Sequence, residues 1–178
     1  MFRERNHRSW IRLLPTALWI VAHFAWGDTL SGKVVGVADG DTITVLDASH
    51  QQHKIRLQGI DAPEKAQPFG QRSKENLSRL VFNKDVRVEW AKRDKYQRIV
   101  GKVWVQPASC PTCPMTLDVG HAQITVGLAW WYRKYANEQL PADRAAYEFS
   151  EEEAKAKRAG CYVFLSQRAE ALAHPANG

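Results

Sequence analysis

Five charged side chains in the middle of the chain combine types and spacing that chemistry can use: Asp41, Arg56, Asp61, Glu64 and Arg98. Two carboxylates, with a main-chain carbonyl and waters, make a site for a hard cation, calcium by preference. Glu64 lies three residues beyond Asp61, past the stiff Pro63, where it could hold or deprotonate a water. Arg56 and Arg98 supply planar guanidiniums that take a phosphate bidentately. Acid, base, metal site and two guanidiniums are the parts needed to hydrolyse a phosphodiester. Taken singly, each of these residues is also an ordinary turn or surface residue, so the chemistry rests on their being brought together.

The elements that must do this are short. Residues 32–38 are a β-branched run, Asp39-Gly40 is a turn signal, and residues 41–47 alternate Ile43 and Val45 against Thr42 and Thr44, which predicts a hairpin. Residues 53–60 alternate as a third strand, stopped by Asp61-Ala62-Pro63-Glu64. Leu77, Leu80 and Val81 recur at helical spacing within 70–83 and predict an amphipathic helix. Residues 85–91 and 99–105 read as two further strands around a charged turn at 92–98. A Pro/Cys-rich loop covers 106–117. A helix is expected over 118–130 with Asp118 as its cap, and a last helix near 142–158 ends at Gly160. Five strands with a helix after the third predict an α+β protein, a five-stranded OB-type barrel with about three helices. Fold alone gives no function.

The 178 residues are 44% hydrophobic and 25% charged with a formal net charge of +6, which excludes a disordered chain, a collagen and a multi-span membrane protein. Much of the basic excess lies in residues 1–27. There Arg3, Arg5, Arg8 and Arg12 precede an apolar stretch from Leu13 to Phe24 and the small residues Ala25 and Gly27. That order describes a secretory signal peptide, with a domain expected over 28–165 and a loose tail over 166–178. The protein is then expected to be exported, to the periplasm or the medium, with no membrane insertion after cleavage. Without residues 1–27 the chain keeps 21 basic and 18 acidic residues, a net of +3, so charge alone does not argue for nucleic acid. Cys110-Pro-Thr-Cys113 could be a redox motif, half a zinc site or a local disulfide. The surrounding prolines argue against a helix-opening redox motif, and export favours the disulfide. A zinc site would need two further ligands, which His121 and Cys161 could supply at no diagnostic spacing.

Asp39-Gly40-Asp41-Thr42, then Ile55-Arg56-Leu57 through Ile60-Asp61-Ala62-Pro63-Glu64, then Asp94-Lys95-Tyr96-Gln97-Arg98, in this order and spacing, resemble the staphylococcal nuclease (thermonuclease) family, as does Gly127-Leu128-Ala129 before an aromatic stretch. The resemblance runs from about Gly32 to Gly160 and agrees with the OB barrel. It implies a calcium-dependent endonuclease that cuts DNA and RNA, single- or double-stranded, with little sequence preference and leaves 3′-phosphate ends. By the motif match, Asp41, Asp61 and the carbonyl of Ala62 would ligate Ca²⁺, and Glu64 would be the base or would position the water. Arg56 and Arg98 would clamp the phosphate. Lys95 and Tyr96 would contact the substrate's phosphate ends, and Tyr135, with Tyr132 in reserve, would stack on a base. A monomer is expected. Ala62 replaces a threonine, and Gln97 stands where glycine is usual, which bears on how Arg98 is aimed. The loop after Glu64 is shorter than in the staphylococcal enzyme, and the 106–117 loop is an addition. Trp130 and Trp131 read as core rather than as stacking platforms. The competing reading is a catalytically inactive OB module that binds nucleic acid. Such modules typically lack the carboxylates and arginines that are all present here.

Overall fold

The computed structural model describes residues 28–163. The expected leader 1–27, the expected tail 166–178 and residues 164–165 at the end of the expected domain lie outside the described residues.

Strands β1 (Asp28–Val37), β2 (Thr42–Asp47) and β3 (Gln52–Leu57) form an antiparallel meander. After the two-residue β4 (Ile60–Asp61) comes helix α1 (Gly70–Val81), then the hairpin β5 (Asp85–Arg93) and β6 (Ile99–Val105). β1 pairs with β5, and β3 pairs in parallel with β6, so five strands close into a barrel in the order β3-β2-β1-β5-β6. This is the expected five-stranded barrel. A short β7 (Leu117–Asp118) edges β6, and α2 (Val119–Thr125) follows. β8 (Trp130–Trp131) pairs with β4, and α3 (Pro141–Ala156) ends the described fold.

Alternation along each strand drives closure. Ile43, Val45, Ile55, Val88, Ile99 and Val103 point inward and are at most 1% exposed, while their neighbours face out. Leu77 and Val81 of α1 and Ile124 of α2 cap the barrel's apolar interior. Burying a side chain such as Leu77 stabilises the fold by about 1.5–3 kcal/mol.

Beside a longer β5, which runs to Arg93, and the short strand β7, three departures from the sequence-based expectations shape the surroundings of the site. β1 begins at Asp28 rather than at residue 32, because its first half pairs with β5. The third strand does not run unbroken to residue 60. Gly59 has φ +75, a left-handed conformation that breaks the ladder and starts β4 in a second, two-stranded sheet with β8. The helix expected over 118–130 stops at Thr125. Gly127 has φ +69, and a Cβ there would lie 2.3 Å from the carbonyl oxygen of Ala159, so the chain turns out of the helix and Trp130–Trp131 become strand. Asp118 does cap α2, accepting a hydrogen bond from the His121 amide at 3.1 Å.

Candidate active site

The turn from β1 to β2 carries Asp41. Its backbone is set by Asp39, whose Oδ1 accepts from the Asp41 amide at 3.0 Å, and by a bond from the Leu57 amide to the Asp41 carbonyl at 2.8 Å. A buried amide anchors the turn from behind. Gln123, fully buried on α2, donates through Nε2 to the carbonyl of Gly40 at 2.9 Å and to that of Ser73 at 3.1 Å. Ser73 Oγ in turn donates to the Leu128 carbonyl at 2.6 Å. A buried amide that lost these partners would leave several polar groups unpaired, each costing about 1–3 kcal/mol, so the network holds α1, α2 and the Asp41 turn in one arrangement.

Register does the rest. Thr42 sits opposite Arg56 in the β2–β3 ladder, and Arg56 lies beside Val100 in the parallel β3–β6 pair. Arg56 Nη1 lies 2.7 Å from Asp41 Oδ2 and Nη2 lies 2.8 Å from Asp61 Oδ1, so one guanidinium bridges both carboxylates. Thr42 Oγ1 donates to Asp41 Oδ1 at 2.7 Å and accepts from Arg98 Nη1 at 3.4 Å. Arg98 itself is forked onto Asp94 Oδ2, with Nε and Nη2 each at 2.8 Å. The four residues Asp41, Arg56, Asp61 and Arg98 are therefore one connected group.

The charges are unequal. Asp41 is 4% exposed, and burial pushes its carboxyl up to about 7 against the opposing effects of Arg56 and Thr42. Nearby Asp39 pushes it further up. Burial works against the charge on Arg56 too, but Asp41 and Asp61 outweigh it and its pKa moves up. Burial would also raise Asp94, yet the bonds from Arg98 and the turn amides hold it below the usual carboxylate range. Two carboxylates share one guanidinium, which gathers hard oxygens around a single cation. That donor set fits a divalent hard cation.

Beside this group opens a cleft of about 540 Å³. Arg56, Arg98, Lys95, Tyr96 and Tyr135 all line it. Tyr96 is 67% exposed and lies between Lys95 and Arg98, whose cations are 4.9 and 5.4 Å from its ring centre. Tyr135 is 42% exposed and meets Tyr132 edge to face at 5.5 Å. Gln97 has φ 63, so it adopts the left-handed conformation that a glycine would supply and the turn still delivers Arg98 to Thr42.

Glu64 and Ala62 are placed differently. Ala62 is buried next to the Asp41 turn, while Glu64 is exposed on the loop after β4 and its carboxylate joins none of the bonds above. No cluster of three or more His, Cys, Asp or Glu suited to a metal occurs among the described residues. The structure thus gathers Asp41, Asp61 and both arginines but does not bring Glu64 into contact with them.

Sequence reasoning missed Lys92 and Lys134, which also line the cleft and lie 4.8 and 5.7 Å from the Tyr135 ring. It also missed Gln123 and Ser73 as anchors. Trp131 is core, its Nε1 donating to Gln139 at 2.8 Å, and Trp130 packs with Ala154, Cys161 and Tyr162. Cys110 and Cys113 are joined by a disulfide, and Cys161 is a buried free thiol. No helix among the described residues is long and apolar enough to cross a membrane.

Residues 54–162 match the family described as Staphylococcal nuclease homologue. The chain is 39% identical to Protein ParB of Escherichia coli over 160 residues, covering 90% of this chain and 87% of that protein. It is 38% identical to Micrococcal nuclease of Shigella flexneri over 144 residues, 80% of this chain and 79% of the relative. It is 37% identical to an Uncharacterized endonuclease of Escherichia coli over 124 residues, 70% and 75% of the two chains. With a closed OB barrel, two arginines and two carboxylates in one group, and this similarity across most of its length, the chain belongs to the staphylococcal nuclease family and is a nuclease, a hydrolase of phosphodiester bonds.

Proposed function

We propose that this nuclease is a calcium-dependent endonuclease that cuts DNA and RNA with little sequence preference and leaves 3′-phosphate ends. The observation that carries the reading is the Asp41–Arg56–Asp61 bridge, with Arg98 one hydroxyl away, at the edge of a cleft lined by lysines and tyrosines. Burial disfavours the charge on Asp41, and a cation in that place would favour it. Asp41, Asp61 and the carbonyl of Ala62 would hold it. Bound there, calcium would add positive charge beside a phosphate oxygen and keep water close to phosphorus.

The protein's own groups do the remainder. Arg56 and Arg98 neutralise the charge that grows on phosphate oxygens as water adds. Glu64 takes a proton from that water. The P–O5′ bond breaks, Arg98 donates a hydrogen bond to the departing 5′ oxygen, which takes a proton from solvent water to leave as the 5′-hydroxyl, and the phosphate stays on the 3′ side. Lys95 and Tyr96 hold the phosphate ends, and Tyr132 and Tyr135 offer aromatic faces that any base can stack on, which favours weak sequence preference. The basic and then apolar residues 1–27 support export to the periplasm or medium, and we propose that the mature protein acts as a monomer.

The test is digestion of mixed DNA and RNA by the purified protein with Ca²⁺ and with a chelator. Cleavage that needs Ca²⁺ and leaves 3′-phosphate ends is expected. Binding without cleavage under any divalent ion would return the chain to the inactive OB module.

A further inference from the structure

The connection from β5 to β6, residues 94–98, aims Arg98, and its next-to-last residue is the left-handed Gln97. A residue with a Cβ is disfavoured in that conformation and glycine is its usual occupant. Something must therefore hold the backbone there. Asp94 does part of this: its Oδ1 accepts from the amides of Tyr96 at 2.9 Å and Arg98 at 3.0 Å. Its carbonyl accepts from the Gln97 amide at 3.0 Å. These bonds leave the Gln97 carbonyl, and Arg93 takes it, with Nη1 donating at 2.9 Å.

Arg93 is itself braced. Its guanidinium lies 5.4 Å from the centre of the Trp90 ring, and Trp90 packs against the barrel core. A strap thus runs from the core through Trp90 and Arg93 to the peptide that immediately precedes Arg98. A charged donor makes a stronger bond to a carbonyl than a neutral one does, and the indole face adds to its hold.

We infer that Arg93 is a positioning residue for the reaction, holding the Gln97 peptide so that Arg98 stays aimed at the carboxylate group. The strap lets a non-glycine residue occupy the turn without misdirecting the guanidinium that follows. The inference rests on the proposed role of Arg98. Arg93 is exposed, so its competing role is a direct grip on substrate phosphate, and kinetics separate the two.

The experiment measures kcat and KM on a DNA oligonucleotide with Ca²⁺, at several salt concentrations, for the unmodified protein and four variants. These are Arg93→Ala, Arg93→Lys, Arg93→Ala with Gln97→Gly, and Arg98→Ala. For Arg93→Ala, kcat should fall about tenfold while KM stays within about twofold and the salt dependence is unchanged, since displaced catalytic groups lose rate steeply. Arg93→Lys should recover part of the loss. Adding Gln97→Gly to Arg93→Ala should recover most of it, because glycine keeps the turn without the strap. A raised KM with a shallower salt dependence would make Arg93 a phosphate contact and overturn the inference. An unchanged kcat, or no recovery with Gln97→Gly, would also overturn it. Full activity in Arg98→Ala would instead remove the reading on which the strap depends. Thermal midpoints identify any variant that does not fold, and in that case Arg93→Lys, whose partial loss in kcat is expected at unchanged KM, decides by the same criteria.

Discussion

Two polar clusters in this molecule are built alike and behave differently. In each, one cation lies between two carboxylates. At the cleft, Arg56 bridges Asp41 and Asp61. Under α3, Lys102 lies 2.7 Å from Asp143 and 3.4 Å from Asp118. Asp118 is further occupied: it accepts from the Tyr147 hydroxyl at 2.8 Å and caps α2. Tyr147 in turn stacks on His121, whose Nε2 meets Ser150 Oγ at 2.7 Å. Burial, then the Asp118 charge, pushes the Tyr147 phenol up, so it stays a neutral donor. Almost every acceptor of the rear cluster is used to tie β6, α2 and α3 together. In the front cluster Thr42 and Arg56 take the two oxygens of Asp41 and Arg56 takes Oδ1 of Asp61, and the cleft beside it is lined by Arg56, Arg98, Lys92, Lys95 and Lys134, whereas the cavity beside the rear cluster has Lys102 as its one lysine or arginine, between Asp118 and Asp143. The same residue types make a joint where their partners tie elements together and a candidate site where they border a cleft lined by cations and tyrosines.

The largest way to test that contrast is Glu64→Gln, which should lower the rate by about 10²–10⁴ while Ca²⁺ and substrate binding persist. Full activity, measured by single-turnover cleavage, would remove Glu64 as the base beside the front cluster. Arg98→Ala should cost about 10²–10³ in kcat, and normal rates would mean that Thr42 and Asp94 hold a guanidinium with no catalytic part. The rear cluster should respond in stability instead. Asp118→Ala removes a helix cap and the acceptor of a buried hydroxyl, together about 2–4 kcal/mol. Denaturant unfolding would show that loss, with the kcat of the folded fraction unchanged; a comparable loss in kcat would erase the distinction between joint and site.

The smallest expected effect lies on α3. Burial would raise the pKa of Glu151, but Arg133 at 2.7 Å and Lys155 at 3.3 Å outweigh it and hold it below its ordinary range. A lowered folded pKa means that the stabilisation is present above the ordinary glutamate value and is lost as pH falls through the folded one. The stability gap between the unmodified protein and Glu151→Gln should therefore narrow in acid. A gap independent of pH would show that the cluster is held by packing alone.

The barrel was legible because alternation in 41–47 and 53–60 reports directly which side chains face in. Asp41, Arg56, Asp61 and Arg98 were legible as a group because strand ends and a turn carry them. Glu64's distance from the group was not, since a loop's path depends on what it packs against: here α1 begins against its backbone, Gly70 lying close to the Glu64 carbonyl. Lys92 escaped for a local reason. The register shifts between Trp90 and Lys92, so a bulge interrupts the alternation that 85–91 displays and Lys92 reaches the cleft. The ends of the third strand and of α2 were set by Gly59 and Gly127, whose left-handed backbones show no hydrophobic pattern. Gln123 carries no signal of its own, because its value lies in three elements that meet only in the folded chain.

Barrel closure has a consequence in time. Among the described residues, β3 and β6 form the parallel pair, and it sets Arg56 beside the start of the strand that follows Arg98. Its partners are more than forty residues apart, as are those of the β1–β5 pair, whereas the β1–β2, β2–β3 and β5–β6 hairpins are local. Loop closure over such a span is slow compared with hairpin formation. A chain with its hairpins formed but these long-range pairings open holds Arg56 and Arg98 on separate pieces. The two arginines of the site are thus joined only by the closure of the barrel, not by any local stretch of chain.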